Sequence, residues 1–367
     1  MASNSTSRLI ALDALRGFTI MAMIIVNDPG SWSHVYAPLL HAPWNGATPT
    51  DYVFPFFLFI VGVSITMAYH GRLEAGAQRG DLVKKVVVRS LKIYGVGLFL
   101  WLWPDFDFSS IRWAGVLQRI SVVFLACALL FLYTNWKFWV QLGVGLLVGY
   151  WILLAYVPVP GIGSPDLSVP IKNWAHFIDS RFLPGKLWQE TWDPEGILST
   201  FPAIVTGIIG MLVGKLILEI KELYHKLTWL FFIGFGLYVV GGAWDWFFPI
   251  NKNLWTSSYV FHTGGLATLS LAASMVLTDV MGQTKWTAAG RIFGSNAIAA
   301  YVLASMMTVV FYNDFGGTAG LNTRWMNGLQ SLGFSLEFGS FTYALIYVGI
   351  IFIPIYSLYK RKIFLKL

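Results

Sequence analysis

The chain has 367 residues, 56% of them hydrophobic and 12% charged, with a mean hydropathy of +0.63. A soluble domain carries about 25% charged residues, so a water-soluble globular class is excluded and an integral membrane protein is expected. The formal charge of +7 does not point to nucleic acid, because the basic residues are dispersed, and the single cysteine, Cys127, excludes an internal disulfide. The start, Met1–Ser7, lacks the basic region and cleavage site of a signal peptide, so the first apolar run is expected to be retained.

Crossing a hydrocarbon core of roughly 30 Å takes about 20 helical residues. Runs of that kind are expected ten times, at 10–27, 52–70, 86–103, 112–133, 137–157, 197–218, 227–248, 258–278, 287–312 and 339–359. The expected fold is therefore an all-α polytopic bundle, with residues 1–367 forming a single transmembrane domain. Alternate connections differ in basic content. One side holds sixteen Lys and Arg, from Arg8 through Arg79, Lys84, Lys85 and Lys221 to Lys362 and Lys366, and the other holds six. The positive-inside rule places the richer side in the cytoplasm, with both termini. The connection 158–196 is the longest and lies outside; Trp174, Phe177, Phe182 and Trp188 are expected to pack it down on the membrane domain.

The first hairpin, from Asn27 to Gly62, also lies outside. It carries two histidines, two aspartates and two asparagines but no Lys or Arg, and is dense in Gly, Pro and Trp. His41, in HAPWNG, is the leading candidate for acid–base chemistry, because an imidazole exchanges a proton near neutral pH. Asn27 and Asn45 could orient the ring or hydrogen-bond a carbonyl, and Asp51 could cap the second helix and bias the tautomer. His262 is the runner-up, His34 and His176 are weaker candidates, and His70 and His225 read as surface residues. No HExxH, CxxC, P-loop or GxSxG pattern occurs, so metal, NTPase and serine-hydrolase chemistry have no support.

Ionisable residues inside spans cost about 2.5–3.5 kcal/mol on insertion scales and default to a functional reading. Asp13 and Arg16 are one helical turn apart, which suits either a neutralised packing pair or the wall of a ligand cavity. Arg89 and Lys92, also one turn apart, read either as lipid-snorkelling side chains or as a phosphate clamp. Gln118 and Arg119 lie deeper in GVLQRI, and a buried Arg needs an anionic or carbonyl partner, the strongest single hint of an internal polar site.

The series RLIALDALRG, HAPWNG, TDYVFPFFLFIVG, GVLQRI, WDPEG, PINKNLWTSSYV and LYKRKIF, in that order, resembles the heparan-α-glucosaminide N-acetyltransferase family and its bacterial homologues across nearly the whole chain. A weaker likeness is to membrane acyltransferases of family 3. The first resemblance implies a polytopic enzyme of the bacterial inner membrane. Such an enzyme moves acetyl from cytoplasmic acetyl-CoA to an extracytoplasmic glucosamine-type amine, with His41 as catalytic residue and Asn27 beside it. On the enzyme reading the residues themselves suggest donor contacts from Arg89, Lys92, Arg119, Gln118 and Arg16, and acceptor contacts from Asn45, Asp51, Asp193 and Glu195. The partners expected are acetyl-CoA, an amino sugar or glycan and membrane lipid, with no metal and no nucleic acid; a homodimer is admitted. An amino-sugar transporter is the alternative. The chain is expected to begin at that family's first core helix, and its hairpin between Asn27 and His41 is longer, which bears on the acceptor rather than the donor.

Overall fold

Helices account for almost all of the ordered backbone in the computed structural model, which describes residues 9–314 and 317–365. In chain order they are α1 (Ile10–Asn27), α2 (Val53–Glu74), α3 (Arg79–Leu102), α4 (Val116–Tyr133), α5 (Trp136–Tyr156), α6 (Trp174–Phe182) and α7 (Thr200–Glu219). They continue with α8 (Leu223–Trp244), α9 (Ser257–Met275), α10 (Ala288–Ser295), α11 (Ala297–Tyr312), α12 (Leu321–Ser331) and α13 (Leu336–Lys360). Among the described residues only isolated β-bridges occur, so the all-helical expectation holds.

Small residues bring the helices together. A Cβ on Gly62 of α2 would lie 2.0 Å from the Gly207 carbonyl oxygen of α7, and one on Gly265 of α9 would lie 2.4 Å from the Tyr238 nitrogen of α8. Between apolar surfaces in lipid, such close approach lets dispersion forces do what water expulsion does elsewhere. Around α2, α4, α7 and α9 the core is continuous, from Leu58, Phe59 and Val63 through Val123, Cys127 and Met211 to Leu271. Asp13 and Arg16 hold α1 to α2: the guanidinium donates to Asp13 Oδ1 at 3.1 Å and to Ser64 Oγ at 2.6 Å.

Eight of the described helices are long and apolar enough to cross a membrane unaided, and α10 with α11, bent by 72°, makes up to nine. The run at 86–103 lies in α3, which has 24 residues but carries Lys84, Lys85, Arg89 and Lys92 toward its N-terminal side and is not among the eight. At the bend Asn296 turns from the helix and uses its amide on the chain end, donating to Ile363 O at 3.1 Å and accepting from Leu365 N at 2.8 Å. Arg8 and Lys366, counted above for topology, lie outside the described residues.

The long connection contains α6, which is more structure than the sequence suggested. Trp174 anchors it, donating to Val157 O at 2.9 Å. Phe182 does not pack down as expected; it is 67% exposed, and Trp188 is exposed as well. The loop is held instead by a second apolar cluster in which Trp44, Leu167 and Trp174 close over Tyr150, Leu154 and Phe248.

Candidate active site

At one end of the bundle the α1–α2, α3–α4, α5–α7 and α8–α9 connections meet. Trp44 reaches across to donate to Leu167 O at 2.7 Å, and Gly46 N donates to Ile250 O at 2.7 Å. Gly46 has φ +96°, a conformation that costs a glycine little. Beside that contact Asn251 Nδ2 donates to Asn45 Oδ1 at 3.0 Å, and Asn251 Oδ1 accepts from Leu254 N at 2.9 Å. These bonds fix the NKN turn against the hairpin, and the next residue is Lys252.

His41, Asp51 and Lys252 form the cluster. Asp51 stands in a capping box with Thr48 that starts the short turn Pro49–Tyr52 leading into α2. Its Oδ2 accepts from Ala42 N at 2.9 Å and from Thr48 N at 3.0 Å. A carboxylate taking these bonds is an acceptor only. The His41 Nδ1–H therefore donates to Asp51 Oδ1, 2.6 Å away, and the lone pair is left on Nε2. Lys252 Nζ lies 3.2 Å from that Nε2, 3.0 Å from Nδ1 and 3.6 Å from Asp51 Oδ1. At nearly equal distances from the two ring nitrogens, the ammonium lies beside the ring and not along the Nε2 lone pair. His41 keeps 47% of its side chain exposed, whereas Asp51 keeps 1% and Lys252 17%. Burial pulls the Lys252 ammonium below the usual lysine range, while Asp51 and Glu195 pull it back up. The arrangement offers an oriented, half-exposed imidazole beside a cation.

A second ionic group stands behind it. Arg112 Nε and Nη2 donate to Asp193 Oδ2 and Oδ1 at 2.7 and 2.6 Å, and Nη2 also donates to Glu195 Oε2 at 2.6 Å. The guanidinium stacks 4.9 Å over the Trp188 ring. Nearby, Asp179 accepts from Ile197 N at 3.0 Å and Asp193 N at 3.3 Å, yet burial pushes its carboxyl up to about 6. Arg119 is buried, donates from Nη2 to Ser199 Oγ and to Gly196 O, and lies 5.1 Å over Trp255. Its Nε and Nη1 have no hydrogen-bond partner among the described residues.

The other expected site residues are dispersed. Asn27 is exposed at the last position of α1 and makes no side-chain hydrogen bond among the described residues. Asn45 bonds Asn251 rather than His41. Asp193 and Glu195 face Arg112. Arg89 stacks 4.9 Å over Phe124, Lys92 is exposed on the same helix, and Gln118 is buried against Gly97 of α3. His262 accepts or donates a 3.0 Å bond with Tyr52 OH, inside the bundle. Lys252 was not singled out from sequence: it stands 211 positions from His41, and its one signal was a lone cation between two asparagines ahead of an apolar run.

Comparison with known proteins adds an independent line. The family model described as heparan-alpha-glucosaminide N-acetyltransferase, catalytic, matches residues 8–234, which include His41, Asp51 and Arg119 but end before Lys252. The mouse protein of that name (Mus musculus) is 28% identical over 358 aligned residues, covering 82% of this chain and 53% of the relative. The human one (Homo sapiens) is 30% identical over 356, covering 80% of this chain and 52% of the relative. The chain thus spans about half the length of the curated relatives it matches.

Proposed function

The chain belongs to the heparan-alpha-glucosaminide N-acetyltransferase family, and from that premise we propose that it is a membrane N-acetyltransferase. In this reading acetyl-CoA is the donor and the amine of a glucosamine-type sugar or glycan is the acceptor. The observation that carries the reading is the His41–Asp51–Lys252 cluster, an oriented and half-exposed imidazole at the head of a helical membrane bundle.

Asp51 keeps the proton on Nδ1, so Nε2 is the atom that takes a proton from the attacking amine or, in a two-step route, the acetyl group itself. Lys252, beside the ring, leaves the Nε2 lone pair open for either step, and its ammonium is placed to face the thioester oxygen as that oxygen gains negative charge. Asn27 is a second donor in this scheme. Arg89 and Lys92 would take the nucleotide phosphates, with Arg16, Gln118 and Arg119 along the path of the donor. Asn45, Asp51, Asp193 and Glu195 would shape the acceptor side.

The topology that goes with this has both termini in the cytoplasm, α3 as a tenth span in spite of its charges, and the His41 hairpin on the outer face of a bacterial inner membrane. Membrane lipid surrounds the bundle, and a homodimer is compatible with it. The amino-sugar transporter alternative is less well supported, because transporters with inverted repeats pair their broken helices. Among the described residues one bent pair occurs.

The deciding experiment uses purified protein in detergent with acetyl-CoA and glucosamine. N-acetylglucosamine formed without any membrane gradient supports the enzyme and excludes pure transport. No product with glucosamine or its glycosides, alongside gradient-driven uptake in vesicles, would reverse the choice.

A further inference from the structure

Four buried carboxylates lie in or near the outer connections, and three have donors. Asp51 and Asp179 hold backbone N–H groups, and Asp193 holds Arg112. Asp28 is the fourth. It follows Asn27 directly at the end of α1, is 7% exposed, and has no hydrogen-bond or ion-pair partner for its side chain among the described residues. A buried carboxylate left without a partner is costly, and here burial alone lifts the group to about 8.

Its surroundings explain why no described residue satisfies it. Tyr301, Tyr312, Tyr343 and Tyr347 lie within electrostatic range. Three of these hydroxyls are already spent: Tyr312 donates to Pro29 O at 3.0 Å, Tyr343 to Phe311 O at 2.8 Å, and Tyr347 to Ala304 O. The Tyr312 ring meets Tyr343 edge-on with centroids 5.6 Å apart and Tyr347 at 6.3 Å. The segment is not a loose loop. Gly30 N donates to Ser340 O at 3.1 Å, Asn322 Nδ2 donates to Gly30 O at 3.1 Å, and a Cβ on Gly30 would lie 3.0 Å from Tyr343 Cβ. Asp28 is therefore fixed in place, with tyrosines packed on the two residues that follow it.

A buried carboxyl with tyrosine rings nearby suits an organic ammonium, whose charge favours the ionised form of the acid and which lies against the π-systems. We propose that Asp28 and the tyrosines around it form the subsite that recognises the ammonium of the acceptor, a primary amine carried on a sugar. This rests on the acetyltransferase reading, which supplies the acceptor. The subsite would also discriminate substrate from product, since an N-acetylated sugar carries no ammonium and leaves Asp28 without its partner.

The test measures binding without acetyl-CoA, so that no chemistry intervenes. Wild type and Asp28→Asn in lipid-free detergent are titrated with glucosamine, N-acetylglucosamine and ethanolamine by calorimetry. Wild type should bind glucosamine at least about tenfold more tightly than N-acetylglucosamine. Loss of a charge-assisted contact should weaken glucosamine binding by about 10- to 100-fold in Asp28→Asn and erase the preference, while Asp28→Glu keeps part of it. Asp28→Asn removes an unpaired buried carboxyl, so its melting temperature should not fall, which separates a binding loss from misfolding.

An unchanged preference in Asp28→Asn overturns the inference. So does ethanolamine binding as tightly as glucosamine, which would assign the pocket to a lipid headgroup amine. The two readings also fail separately. If Asp28→Asn acetylates glucosamine with an unaltered KM, the subsite is wrong and the enzyme stands. If wild type shows the amine preference but acetylates nothing, the subsite stands and the enzyme reading falls.

Discussion

Arg112 and Lys252 are both cations set against buried carboxylates at the same end of the bundle, and they differ in what is left over. Arg112 meets two carboxylates with a bidentate fork and a third bond, so every charge in that group is answered. Lys252 shares a single carboxylate with an imidazole, and the imidazole keeps nearly half its surface open. A saturated ionic group orders a loop, because each member loses something if another moves. A group with more claimants than carboxylate oxygens can exchange partners, and that is what proton or acyl transfer requires. On this comparison we propose Arg112 as scaffold and the His41 cluster as the seat of chemistry, an assignment that experiment can break.

The largest effect should come from His41→Ala. General acid–base catalysis contributes about 10²–10⁴, so turnover of acetyl-CoA with glucosamine should fall by at least that much while CoA binding by calorimetry stays intact. His262→Ala, which loses a bond to Tyr52 and ring contact with Tyr238 inside the bundle, should remain within a few-fold. Equal losses in the two variants would erase the distinction between a catalytic and a packing histidine.

Next in size is Arg112→Met, read as stability rather than rate. Removing one partner of a buried ion pair costs about 3–5 kcal/mol, and here two carboxylates would be stranded. The melting temperature should drop sharply, and the protein that remains folded should keep its KM for acetyl-CoA. A stable Arg112→Met with poor turnover would move Arg112 into the reacting group.

Lys252→Met should be milder. Its ammonium, 3.0 and 3.2 Å from the two ring nitrogens, is placed to face the charge that develops on the thioester oxygen. Without it kcat should fall by about 10²-fold with little change in KM, and Lys252→Arg should keep part of the rate. An unchanged kcat would mean that the ammonium is only a structural neighbour.

The smallest effect concerns Asp179 in the saturated region. Its carboxyl, raised to about 6 by burial, binds a proton in the folded protein that the unfolded chain releases near 4. That contribution to stability is present at low pH and is lost as pH rises through about 6. Relative to Asp179→Asn, the wild-type melting temperature should therefore decline by a few degrees between pH 4 and 7. Parallel curves for the two proteins would show that the backbone N–H donors already compensate the burial.

Much of the architecture was legible from the chain alone. Hydrophobic runs of about 20 residues can do little in lipid except form helices, since every backbone group must be paired within its own segment. α1, α2 and α4 accordingly stand close to where their runs predict. The cationic start of α3 and the bend at Asn296 were harder to place, because a hydropathy window averages over charges and breaks. His41 was legible as well: a polar hairpin between two spans, with Asp51 ten positions on, leaves little else to hold the ring.

What the sequence by itself determined was thus the helical membrane class, the hairpin and its histidine, all set by local solvation and short-range hydrogen bonding. Tertiary structure alone decided that Lys252 stands at the ring, that Asp193 and Glu195 are taken by Arg112, and that Asp28 has no donor among the described residues. Those outcomes depend on which connections meet above the bundle, a matter of glycine-to-backbone packing between helices far apart in the chain, which no local window of residues records.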